Sequence, residues 1–168
     1  ACIEQISRYF RRLADAGTRV VSIGGDHSIS GAILQAIAGD GSRLTGGRPV
    51  ALVHIDAHTD TYENIEHWMG ARKSAAHWAA YTVRQGNVDA SRSTQLGIRG
   101  NTRSANWLET STNLGYDLIE METYRALGPI AVIERIRERV GDSPVYVSFD
   151  LDSLDPSVAP AVSPAMSV

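Results

Sequence analysis

The chain has 168 residues, 43% of them hydrophobic and 21% charged, which suits one globular domain with a real core. Its net charge of −3 gives no electrostatic basis for binding nucleic acid or an anionic membrane. The single cysteine, Cys2, rules out an internal disulfide, no apolar run approaches the roughly 20 residues of a membrane span, and Glu4, Arg8, Arg11 and Arg12 interrupt any secretory leader, so a reducing, cytoplasmic setting is expected.

In chain order, Cys2, Ile3, Ile6, Tyr9, Phe10 and Leu13 recur near helical spacing, predicting an amphipathic helix that stops near Gly17. Arg19–Ile23 reads as a short strand running into Gly24-Gly25-Asp26-His27-Ser28, a tight turn that presents His27 before a helix over Ile29–Ala38. A glycine-rich loop leads to the apolar strand Val50–Ile55. The loop over 61–72 carries Glu63, Glu66, His67, Trp68 and Met69, and Ser74–Arg84 is helical in character with Ser74 as its cap. Strands are expected over 93–99 and 115–121, a short helix over 103–110, and an amphipathic helix over Pro129–Val140. Val145–Phe149 is a clear strand that ends in Asp150-Leu151-Asp152.

Strands alternating with helices predict an α/β fold, a mostly parallel sheet covered by helices in three α/β/α layers. The chain opens on Ala1 rather than Met and stops at Val168 just beyond a Pro- and Ser-rich loop. Residues 1–168 therefore read as the central part of a single domain truncated at both ends.

In such sheets ligands bind outside the carboxyl ends of the strands, and three polar clusters are expected there. The central one is His54-Ile55-Asp56-Ala57-His58-Thr59-Asp60, with Asp56, His58 and Asp60 at every second position. On a strand that frays into a loop, this spacing lets three ligands converge, and carboxylates in an apolar context call for a cation. Asp150-Leu151-Asp152 alone fits a solvated turn equally well. With His27 the set becomes four carboxylates and two imidazoles, too much negative charge for one divalent ion. Two ions about 3.5–4 Å apart can share it, and oxygen-rich ligation with some imidazole suits manganese.

The three segments Gly24–Ser28, His54–Tyr62 and Ser148–Pro156 resemble, in order and context, the three signatures of the ureohydrolase family, the arginases, agmatinases and related guanidino-acid hydrolases. Gln95-Leu96-Gly97-Ile98-Arg99-Gly100 resembles the agmatinase and guanidinobutyrase branch. The resemblance implies that His27, Asp56, Asp60 and Asp150 hold one Mn²⁺, and that Asp56, His58, Asp150 and Asp152 hold a second, with Asp56 and Asp150 bridging. It further implies a hydroxide that attacks a guanidinium carbon to release urea and an amine, a small guanidino substrate, and a homo-oligomer. The family also uses a proton-shuttling histidine. Its usual His-Gly-Thr-Pro-like context is absent here, and His77 is the best candidate, with His67 second.

His54 is read as supporting or packing rather than ligating, and Asp26 and Asp155 as orienting groups or turn caps. Arg72 and Lys73 are candidates for a substrate carboxylate, Glu63 and Glu66 for a terminal amine, and Trp68 and Trp78 for stacking or packing; solvated charges are the plainer reading of the four. Ala161 stands where the family commonly has glycine, and the family's guanidinium-binding glutamate lies beyond Val168. Two other readings stay open: a relative that binds metal or assembles without turnover, and a deacetylase-like hydrolase with one zinc.

Overall fold

The structure is a computed structural model and describes residues 2–63, 66, 70–99 and 106–160. Among these, contacts divide the chain into two compact units, one of residues 1–50 and 60–89, the other of residues 51–59 and 90–168.

The first unit is helical. Helix α1 (Cys2–Asp15) packs on α2 (Ser28–Ile37), and α2 on α3 (Trp78–Arg84). The core here is Ile33, Leu34, Ala32, Trp78 and Ala79, all buried. The backbones of α2 and α3 approach closely: a Cβ on Gly31 would stand 2.9 Å from Trp78 Cβ. Side-chain hydrogen bonds join the same helices, from the Arg11 guanidinium to the Gln35 carbonyl (2.6 Å) and between the Gln35 and Gln85 amides (2.6 Å).

One expectation fails in this unit. Arg19–Ile23 is not a strand; Val21 and Ile23 are 95% and 98% exposed. An extended apolar stretch becomes a strand only when a neighbour takes its backbone hydrogen bonds, and among the described residues none does so here. The helix expected from Ser74 begins later, at Trp78, with Ser74–His77 forming the turn before it.

The second unit holds a wholly parallel four-stranded sheet in the order β3-β2-β1-β4, so the α/β expectation holds. The strands are β1 (Ala51–Ile55), β2 (Thr94–Ile98), β3 (Asp117–Glu120) and β4 (Val145–Phe149). Central β1 and β2 are mostly buried, and β1 reads as a near-continuous apolar run, as a strand covered on both faces does, whereas β2 carries Thr94 and Gln95 inside. Because all four run the same way, their carboxyl ends share one edge. Pairing continues one residue past the central strands: the Asp56 amide donates to the Leu96 carbonyl (3.0 Å) and the Asp150 amide to the Ile55 carbonyl (2.9 Å).

Helix α4 (Glu109–Leu114) begins close to where the short helix expected over 103–110 ends, residues 100–105 lying outside the described ones. Helix α5 (Met121–Val140) starts earlier than the periodicity over Pro129–Val140 implied. It is two helical segments meeting at Gly128, which sits at φ 77°, ψ 164°. Pro129 then opens the second segment, a position where its missing N–H is no loss. Helix α5 packs on β2 and β3. Near its end the Arg139 guanidinium donates to the carbonyls of Ser93 (2.8 Å) and Gly115 (2.5 Å), joining the helix to the starts of both strands. No described helix is long and apolar enough to cross a membrane.

Gly97 bears directly on the strand edge. It interrupts the β2–β3 register at φ 94°, and a Cβ there would lie 3.2 Å from the Asp56 carbonyl oxygen. Gly97→Ala should therefore lower stability by about 1–3 kcal/mol, the usual range for a residue forced into sparse backbone space. Urea unfolding would show this as a lower midpoint at unchanged m-value, and an unchanged midpoint would contradict the close approach.

Candidate metal centre

Every second residue of Asp56-Ala57-His58 is polar, and β1 delivers them at the carboxyl edge of the sheet in the second unit. Asp56 is 1% exposed and Asp152, in the short 3₁₀ turn Leu151–Ser153 after β4, is 6% exposed. Two carboxylates removed from water this far need hydrogen bonds and positive charge. The backbone supplies the first: the His58 amide donates to Asp56 Oδ1 (2.7 Å) and the Ala57 amide to Asp152 Oδ1 (3.2 Å). His58 supplies the second. Its Nδ1 stands 2.9 Å from Asp152 Oδ2 and 3.5 Å from Asp56 Oδ1.

Asp56, His58 and Asp152 thus offer three ligand atoms within 4.8 Å of one another. Hydrogen bonds that His58 donates to Asp152 and Asp56 push its pKa up to about 10. Burial raises that of Asp152, against the lowering effect of His58. The two directions agree in meaning: this pocket of buried oxygen lacks a positive charge, and a proton on His58 supplies it. The donor set fits a divalent cation, which would take the same place.

Asp150 lies at the end of β4. Its Oδ1 accepts from the Asp152 amide (3.0 Å), and the Ser153 hydroxyl donates to its carbonyl (2.6 Å), so its side chain shapes the turn that carries Asp152. Arg99 reinforces that turn. Its guanidinium donates to the carbonyls of Asp152 (3.0 Å), Ser153 (3.1 Å) and Leu154 (3.1 Å).

The first unit places His27 and Asp60 together, His27 Nδ1 at 3.1 Å from Asp60 Oδ2. The Trp78 indole donates to the same Oδ2 (2.7 Å), and its ring lies 4.8 Å from the His27 ring. Asp60 has φ 52°, a left-handed conformation that aspartate tolerates better than most residues and that often marks a functional constraint. His77 is buried, with Nδ1 2.8 Å from the Ser74 hydroxyl.

The remaining candidates sort by their contacts. His67 and Trp68 lie outside the described residues. Asp26 and Asp155 cap turns, accepting from the amides of Ser28 (2.9 Å) and Ser157 (2.8 Å). Glu63 pairs with Arg84 and Glu66 with Arg72 on the surface, while the Lys73 ammonium lies 5.3 Å from the Tyr81 ring centre. Trp78 is fully buried, so it packs and holds Asp60 rather than offering a stacking face. Two supporting residues, Arg99 and Gln95, entered the sequence reading only as part of the branch-like segment and were given no role of their own. Their signal was available: a long polar side chain inside or directly after an apolar strand must find buried partners.

A family model described as the arginase family matches residues 1–166. The mitochondrial agmatinase of Gallus gallus is 34% identical over 158 residues, 93% of this chain and 43% of that protein. The guanidinopropionase of Pseudomonas aeruginosa is 34% identical over 160 residues, 94% of this chain and 47% of that protein. The chain therefore spans less than half the length of these two relatives. The structure of proclavaminate amidino hydrolase from Streptomyces clavuligerus superposes with a TM-score of 0.83 at 28% identity, covering 98% of this chain and 52% of that one.

The proton on His58 yields a test. A group whose folded pKa is raised from 6.5 to about 10 contributes stability that is complete below pH 6.5 and fades as pH climbs toward 10. A cation must displace that proton, so Mn²⁺ affinity should rise by up to about tenfold per pH unit between pH 7 and 9. Calorimetric titration in buffers of different ionisation enthalpy would reveal the released proton; a pH-independent affinity would contradict the geometry.

Proposed function

The chain belongs to the arginase family, and on that premise we propose that it carries the metal centre of a binuclear manganese amidinohydrolase acting on a linear guanidino compound. The observation that carries the reading is the buried Asp56–His58–Asp152 cluster and its demand for positive charge. The ligand set implied by the three motifs is His27, Asp56, His58, Asp60, Asp150 and Asp152. Two divalent ions bound there would lower the pKa of a shared water, making hydroxide available near neutral pH for attack on a guanidinium carbon.

The chain's own residues do the rest. Asp56 and Asp150 would carry negative charge to both ions. The backbone amides of His58, Ala57 and Asp152 fix the carboxylates in advance, so little is left to reorganise on binding. His77 is the proposed proton carrier, with Ser74 orienting its ring through Nδ1. Oxygen-rich ligation supports manganese over zinc. Two relatives named for agmatine and guanidinopropionate hydrolysis support a small guanidino substrate. Self-association of copies belongs to the same reading. A single exposed cysteine supports a reducing compartment; the chicken relative is named mitochondrial, so the cytoplasm and the mitochondrion are both candidates.

Urea release by the full-length protein with Mn²⁺, assayed over agmatine, guanidinopropionate, guanidinobutyrate and arginine, tests the activity. We expect one or more to be turned over, with kcat falling about 10²–10⁴-fold in His77→Ala. No urea from the whole panel would sink the proposal.

The bridging assignment has its own readout. Asp56→Ala should lose both ions by metal analysis, whereas His58→Ala should retain about one per chain, since the imidazole would serve only one of them. Equal loss in the two variants would contradict the bridge.

A further inference from the structure

One buried polar network in the second unit has no part in the reaction described so far. His54 on β1 stands in register with Gln95 on β2, and both are fully buried. His54 Nε2 lies 2.8 Å from Asp56 Oδ2, and its Nδ1 lies 3.0 Å from Gln95 Nε2. Either ring nitrogen of an imidazole can carry the hydrogen, so these two contacts alone do not say which does.

A third contact decides it. Gln95 Nε2 is also 2.6 Å from the Thr59 carbonyl oxygen. A carbonyl only accepts, so the amide NH₂ must face it; the reversed amide would set two acceptor oxygens against each other. The NH₂ has two hydrogens, one for Thr59 and one for His54 Nδ1. Nδ1 is then an acceptor, and the ring hydrogen sits on Nε2, aimed at Asp56.

We propose that Gln95 and His54 are positioning residues for the metal-binding carboxylate of Asp56. Gln95 imposes the Nε2–H tautomer on His54, and His54 in turn fixes Asp56 Oδ2. With Oδ1 fixed by the His58 amide, the carboxylate is held at both oxygens before any cation arrives. Orienting partners of this kind typically change metal affinity 10–100-fold when removed. The inference rests on the metal-centre reading given above.

The test is Mn²⁺ titration of the full-length protein, wild type against Gln95→Leu, His54→Phe, His54→Gln and the double variant Gln95→Leu/His54→Phe, with folding checked by circular dichroism. Gln95→Leu and His54→Phe should each weaken binding about 10–100-fold. His54→Gln, whose amide can donate to Asp56, should recover much of the loss. Because Gln95 acts through His54, the double variant should bind no more weakly than His54→Phe. A merely structural pair would lower stability without this pattern. ¹⁵N spectra of histidine-labelled wild type supply a readout that needs no variant: His54 should show hydrogen on Nε2 and a bare Nδ1.

An Nδ1–H tautomer in wild type would overturn the proposal, as would folded single variants that bind Mn²⁺ like wild type, or losses that add in the double variant. A wild-type protein that binds no Mn²⁺ overturns the metal-centre reading and this inference with it; wild-type binding beside unaffected variants overturns the inference alone.

Discussion

Two carboxylates are buried beside each other at the ends of neighbouring strands, and the second unit is arranged around that fact. Asp56 follows β1 and Asp152 follows β4, the strand paired to it in parallel. Buried anions are costly unless hydrogen bonds and positive charge come with them. Three backbone amides point at the carboxylates of Asp56, Asp150 and Asp152, and His58 is driven to hold a proton well above its ordinary range. Nothing in the packing of the sheet itself asks for this arrangement. Apolar residues at the same positions would bury with less penalty, and the donor set is one a divalent cation would suit.

Rigidity around the cluster comes from groups that touch only backbone or ligand. Arg99 grips three successive carbonyls from Asp152 to Leu154, and Gly97 leaves room for the Asp56 carbonyl where a side chain would crowd it. Gln95 and His54 fill a polar seam inside an otherwise apolar pair of strands. Each would be a poor choice for stability alone. Their common effect is to leave the carboxylates few orientations, which lowers the reorganisation needed when charge arrives.

In the first unit a smaller arrangement follows the same logic. Asp60 sits in a left-handed conformation, beside His27 and under the Trp78 indole hydrogen. Trp78 looks in the sequence like a residue to pack or to stack on a substrate, and it does pack. Its indole N–H also answers a buried carboxylate, which is what a buried tryptophan needs.

Much of this was legible in the primary structure. Residue spacing alone marked the helices α1 and α2 and the strands β1, β2 and β4, because burial on one or both faces leaves a period of 3.6, or an unbroken apolar run. The spacing of Asp56, His58 and Asp60, and of Asp150 and Asp152, suggested a cation site, and the structure brings Asp56, His58 and Asp152 close enough together to hold one. Arg19–Ile23 has the composition of a strand, yet strand formation depends on a neighbour that periodicity does not name. The roles of Gln95, Arg99 and Trp78 were decided by tertiary structure alone. A sequence says which face of a strand or helix a side chain lies on; what stands across from it, and so which hydrogen bond it makes, depends on register and strand order. Ligand identity is a property of residue type and local spacing, whereas ligand orientation is a property of contacts between residues up to 95 positions apart, such as Ala57 and Asp152.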